Sequence, residues 1–259
     1  MKRWLFVPAG LGLLVAAGAY IPRGACEKAA SAGAPNPTVV ELFTSQGCSS
    51  CPPADALLGE LVGRPDILAL SLPVDYWDYI GWKDTYASAA NTERQRSYAR
   101  SMHHRSIYTP EMVIGGMYDV VGSDKTKVTS TLGSVQSARP TQVAVGVRTA
   151  ADTVTVTVDE GKAAHQATVW LVRYDPEHTV SIRAGENDGR HVTYHNVVRI
   201  MKPIGTWDGR KIDLVLQRKE LDKMPGDRSA VIVQYGETGP IVGAMDFVRA
   251  ESTGVAAGQ

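Results

Sequence analysis

The 259-residue sequence predicts an α+β protein: an α/β unit over residues 37–139, then an antiparallel, β-sandwich-like unit over residues 140–250. Two observations predict it. In the first part short apolar runs alternate with helical stretches. After Arg139-Pro140 the pattern becomes a two-residue alternation broken by Gly, Pro and Asp-Gly signals. A third observation sets residues 1–34 aside: Lys2 and Arg3, an apolar run from Trp4 to Ile21, then small residues, the order of an export signal.

Thr38-Val39-Val40-Glu41-Leu42-Phe43 reads as a strand, being short, apolar and β-branched. Ala54 to Val62 carries Leu57, Leu58, Leu61 and Val62 at helical spacing and stops at Gly63 and Pro65. Ile67 to Leu72 reads as a second strand, and Lys83 to His104, rich in Ala, Arg and Gln, as one long helix. Met112-Val113-Ile114 and Tyr118-Asp119-Val120-Val121 flank Gly115-Gly116 as a hairpin; Asp124 to Ser137 follows as a helix capped by Ser123 or Asp124. In the second part Thr153 to Val158 alternates Thr and Val. Ala167 to Tyr174, Val192 to Ile200, Ile212 to Gln217, Ala230 to Gln234 and Ile241 to Met245 read as further strands. Asn187-Asp188-Gly189 reads as a hairpin turn, and residues 251–259 as a flexible tail.

A chain that is 44% hydrophobic and 21% charged has the composition of a folded globular protein, which excludes a disordered or collagen-like one. Lys+Arg and Asp+Glu both number 27, and this zero net charge argues against nucleic acid as a partner. Export places the protein in the periplasm or outside the cell. Ala30-Ser31-Ala32 offers a cleavage site, and the alternative is an uncleaved membrane anchor through residues 4–21. Cys26 lacks the apolar residue expected three positions before a lipid-bearing cysteine.

Of three cysteines, Cys26 falls in the export segment, so Cys48-Ser49-Ser50-Cys51 holds the remaining chemistry. Disulfide-stapled secreted proteins show several wider pairs, and a zinc site needs a second Cys or His pair. A strand, a short loop, C-x-x-C and then a helix is an arrangement in which two thiols exchange with a disulfide. Helix N-terminal amides favour a thiolate, so Cys48 is the attacking group and Cys51 the one that resolves the mixed disulfide. Pro52 and Pro53 disfavour helical backbone before them, so the helix is expected to begin only at Pro52, with Cys48 in the loop ahead of it.

The stretch from Val39 to Asp55, with Asp75-Tyr76-Trp77-Asp78-Tyr79, Tyr108-Thr109-Pro110, Glu186-Asn187-Asp188-Gly189-Arg190 and Asn196-Val197-Val198-Arg199, resembles the thioredoxin-like secreted proteins grouped as domain of unknown function 1223. The resemblance covers about residues 37–250. It implies a thioredoxin-like fold for residues 37–139 and a redox-type motif, in a family with no assigned activity. In such folds a cis proline faces the disulfide, and the residue before it offers free backbone to an extended substrate. Those positions fall on Pro110 and Thr109. Glu41, seven residues before Cys48, resembles in position the buried acid that moves protons for the resolving cysteine. Its other reading is an exposed carboxylate at a strand end.

Tyr76 and Trp77 belong to a run with Tyr79 and Trp82 that reads as a groove wall beside the thiols or as core and loop anchoring. The leading function is thiol–disulfide exchange on a protein or small-thiol partner, with Cys48, Cys51, Pro110 and Glu41 at the chemistry, Thr109, Tyr76 and Trp77 at the substrate, and no organic cofactor or resident metal. The alternatives are a binding module with a fixed disulfide, and a copper or zinc carrier using Met102-His103-His104 with the cysteines.

Overall fold

The computed structural model describes residues 36–138 and 142–248. The export signal expected over residues 1–34, the boundary expected near residue 140 and the tail expected over residues 251–259 lie outside the described residues. Among the described residues eleven strands and four α-helices make an α+β fold built on one large sheet. β1 (Thr38–Thr44), β2 (Ile67–Pro73), β3 (Glu111–Ile114) and β4 (Tyr118–Val121) come from the first half, with α1 (Pro52–Val62), α2 (Ala89–Ser101) and α3 (Lys125–Ala138). The second half supplies β5 (Val145–Thr149), β6 (Thr153–Val158), β7 (Ala167–Ser181), β8 (His191–Trp207), β9 (Ile212–Gln217), α4 (Arg218–Asp222), β10 (Arg228–Tyr235) and β11 (Ile241–Val248).

Eight strands form a continuous sheet in the order β11-β10-β7-β8-β2-β1-β3-β4, so strands of both halves lie in one layer. β1 and β2 are parallel, β3 and β4 antiparallel, and the halves join through Ser71 opposite Val197. β5, β6 and β9 form a second sheet. Its inward valines Val145, Val147, Val154, Val156 and Val158 pack on Val169, Leu171, Val231 and Val233, the two-residue period at work on two facing sheets.

Alternation along β1 decides which side chain meets which layer. Val40 and Leu42 face α1 and α3, packing with Ala54, Leu57, Leu58 and Leu132. Val39 and Phe43 face the opposite layer, where Tyr98 of α2 is buried. α1 begins at Pro52, as its two prolines dictate, and buries Ala54, Leu57, Leu58 and Leu61. Gly59 brings it close to β8, since a Cβ there would stand 2.7 Å from the His195 ring.

Two expectations on element length are corrected. The helix expected over Lys83 to His104 runs only from Ala89 to Ser101. The buried Asp84 carboxylate accepts from the amides of Tyr86 and Ala87, fixing a turn there, and Ser88 then caps the helix by accepting from Asn91 N. The strands expected to end at Tyr174 and at Ile200 are longer, because β7 and β8 pair as an antiparallel ribbon out to Ser181 opposite His191. β5 and α4 had no prediction.

Candidate functional site

Cys48 and Cys51 are joined as a disulfide with their Cα atoms 5.4 Å apart, and neither residue has exposed surface. Cys51 is the N-cap of α1, and Cys48 lies in the loop that leaves β1. Short hydrogen-bonded steps build that loop: Cys48 N donates to Ser45 O at 3.1 Å and Cys51 N to Cys48 O at 3.2 Å. The loop's outer side, Ser49 and Ser50, is exposed.

Three segments hold the loop. The first is the aromatic stretch after β2. Gln46 N donates to Asp84 Oδ2 at 2.8 Å, and the Gln46 side chain accepts from Trp82 Nε1 at 2.8 Å and donates to Thr85 Oγ1 at 3.0 Å. Trp77 lies against Gly47, where an added Cβ would come within 3.1 Å of the Trp77 Cβ, so glycine is needed for that approach. The second is the turn before β3. The Thr109–Pro110 peptide bond is cis, the conformation expected at that position, and Trp77 Nε1 donates to Thr109 Oγ1 at 2.8 Å. Trp77 thus ties the cysteine loop to the Thr109–Pro110 turn. Tyr76 stands beside it with ring centroids 6.4 Å apart; burial pushes its phenol up to about 12, against the opposing influence of the Gln95 and Thr109 side chains.

The third is the turn between β7 and β8, a short 3-10 turn over Gly185–Asn187. The buried Asn187 amide donates to both Gln46 O and Cys48 O at 2.8 Å, and Glu186 Oε2 accepts from Ser49 N at 3.3 Å. No sequence signal marks this clamp, because its partners lie 137 and more residues away.

Glu41 is not brought to the cysteines. It projects from the sheet face opposite α1, where Arg94 Nε is 2.6 Å from one carboxylate oxygen and Tyr98 OH donates to the other at 2.5 Å. It is a buried, ion-paired acid rather than an exposed strand-end carboxylate.

The acid on the cysteine side is Asp55, four residues after Cys51 and therefore on the same face of α1. It is 2% exposed; the Thr44 hydroxyl beside it is a weak hydrogen-bond partner that favours the charged form, and the Ser71 hydroxyl is unpartnered. Burial pushes its carboxyl up to about 8, and the like charge of Asp84 adds to this. Burial raises Asp84 as well, and raises the Tyr194 phenol, which feels the charges of Asp55 and Asp84. Asp55 was not among the candidate site residues read from the sequence, although its helical spacing from Cys51 was a signal that could have found it. Groups of this kind cluster at functional sites. Among the described residues no three His, Cys, Asp or Glu side chains gather to hold a metal ion; His104 stands 3.6 Å from Asp119.

An α+β protein with a disulfide at a helix N-terminus is thus the class that the fold and the site define. The chain belongs to the family described as protein of unknown function (DUF1223), whose model matches residues 39–234. An Agrobacterium tumefaciens protein of known crystal structure is 33% identical, with a TM-score of 0.74 over 83% of this chain and 95% of that one. HBP35 of Porphyromonas gingivalis, 11% identical, superposes with a TM-score of 0.57 over 86% of this chain and 78% of that one, a likeness of fold alone. No curated protein matches.

Proposed function

We propose that the protein is an exported, thioredoxin-like thiol–disulfide exchange protein whose working pair is Cys48 and Cys51. The observation that carries this reading is the placing of the pair: Cys51 caps α1, Cys48 precedes it in a loop, and Trp77 links that loop to the Thr109–Pro110 turn. A partner thiolate attacks Cys48 Sγ, the Cys48–Cys51 bond breaks, and Cys51 leaves as a thiolate. A second partner thiolate then attacks the partner sulfur of the mixed disulfide and releases Cys48, so two electrons pass from the partner to the pair. In the opposite direction reduced Cys48 attacks a partner disulfide, and Cys51 resolves the product.

Asp55 takes the proton-handling role in this scheme. A carboxyl titrating near 8 on the same helix face as Cys51 can give a proton to the departing thiolate and take it back. Glu41, locked to Arg94 and Tyr98 beyond the sheet, is assigned to stability. Thr109 and Tyr76 are assigned to the surface that the substrate meets, and no cofactor enters the chemistry.

A second reading, a fixed disulfide in a binding module, draws on the complete burial of both cysteines. Serine variants separate the two. Under exchange, Cys51→Ser accumulates a mixed disulfide through Cys48 when mixed with reduced, unfolded ribonuclease A that has been activated with a disulfide reagent. Cys48→Ser accumulates none. Absence of the adduct from Cys51→Ser in folded protein would sink the exchange reading.

A further inference from the structure

The β7–β8 ribbon carries a turn from the second half of the chain onto the backbone of the cysteine loop. Its two strands, 15 and 17 residues long, are the longest in the fold, and they stay paired to Ser181 opposite His191. Beyond that pair Ile182, with Val192, Tyr194 and Val197 of β8, packs on Trp82 and Tyr86 of the aromatic loop. Gly185 and Gly189, with φ of 76° and 78°, take the left-handed backbone that turns the chain at the tip. Between them Asn187 is 1% exposed and spends both amide hydrogens on Gln46 O and Cys48 O, while Glu186 reaches Ser49 N.

We propose that this turn is a cap over the disulfide, that Asn187 is the positioning residue that holds it shut, and that the cap selects polypeptide partners over small thiols. The inference rests on the exchange reading. An attacking thiolate must reach Cys48 Sγ in line with the Cys48–Cys51 bond, yet Cys48 has no exposed surface. The three bonds that close the turn have a pattern: two carbonyl oxygens, Gln46 O and Cys48 O, and one amide, Ser49 N. An extended polypeptide offers amides and a carbonyl to the same three groups and so replaces what the turn gives up. A small thiol replaces none of them, and it meets a cap whose buried amide must be left unpaired before reaction. The attack itself is unchanged: the partner sulfur bonds to Cys48 Sγ, and Cys51 departs as a thiolate and takes up a proton.

The test compares reduction of the intact protein's disulfide by dithiothreitol and by reduced, unfolded ribonuclease A, counting free thiols by alkylation and mass. In Asn187→Ala the dithiothreitol rate is expected to rise at least about tenfold, with a smaller change for ribonuclease, so that the preference between them collapses. Glu186→Ala, altered only at an exposed side chain, is expected to give a rise of a few-fold and decides the matter if Asn187→Ala does not fold. Asn196→Ala removes a buried asparagine amide from Ala69 O instead and is expected to leave the ratio of the two rates unchanged. The cap is overturned if Asn187→Ala and Glu186→Ala both leave that ratio within twofold of the parent, or if Asn196→Ala shifts it equally. The exchange reading fails separately, with the turn left as in the parent, if Cys48→Ser and Cys51→Ser are alike in forming no adduct.

Discussion

Replacing Asp55 by Asn removes a carboxyl that folding must protonate. In the folded chain that carboxyl is buried, with the Thr44 hydroxyl easing its charge in part, and pushed from 3.8 to about 8. Between those values the unfolded chain holds Asp55 ionised while the folded chain holds it neutral, so folding takes up a proton. The stability that comes with the raised value is fully present below pH 3.8, is lost as pH rises, and has gone once pH passes about 8. At about 1.4 kcal/mol per pH unit, the interval from 3.8 to pH 7 is a penalty of about 4 kcal/mol. Glu111, buried and raised to about 7, contributes in the same direction and remains in the variant. The assay is urea unfolding of oxidised parent and Asp55→Asn protein at several pH values from 5 to 8. The gap between them is expected to move in the variant's favour by about 4 kcal/mol across that range. Parallel curves would refute the argument, because Asp55 would then titrate alike in both states.

Glu41→Gln leaves Arg94 buried without its carboxylate and is expected to cost about 3 kcal/mol by chemical denaturation, with the exchange rate per folded molecule unchanged. A slowed rate at full stability would return Glu41 to the chemistry. Trp77→Phe and Thr109→Val each remove the indole–hydroxyl bond, and a double-mutant cycle is expected to show a coupling of about 1 kcal/mol; independent effects would mean that the two turns are not tied through it. Gly47→Ala places a Cβ within 3.1 Å of Ile80 and Trp77 and is expected to lower the thermal midpoint and raise the exposure of the disulfide to small reductants.

The α+β class was legible because both periods stand in the sequence: the helical spacing of Leu57, Leu58 and Leu61, and the Thr–Val alternation of Thr153 to Val158, which is β6 residue for residue. Pro52 fixed the start of α1 because proline needs no donor there. Local propensity failed where a side chain displaced it. Asp84 took the amides that would have extended α2, and the aromatic loop closed on Gln46. The resemblance in position offered Glu41 as a proton-moving acid, with an exposed strand-end carboxylate as the other reading, whereas strand alternation turns it to the face away from Val40 and Leu42, where it is buried against Arg94 and Tyr98. Asn187 was legible only as a turn residue. Its contact with Cys48 follows from the length of the β7–β8 ribbon and the join of Ser71 to Val197, which are properties of the tertiary fold.

The most direct test of the exchange reading is the reduction potential of the Cys48–Cys51 pair, obtained by equilibrating the protein with glutathione buffers and counting free thiols by mass. The account predicts a value between about −120 and −270 mV, the span of known exchange proteins. A value below about −300 mV would contradict it, marking a disulfide that the glutathione pool does not open.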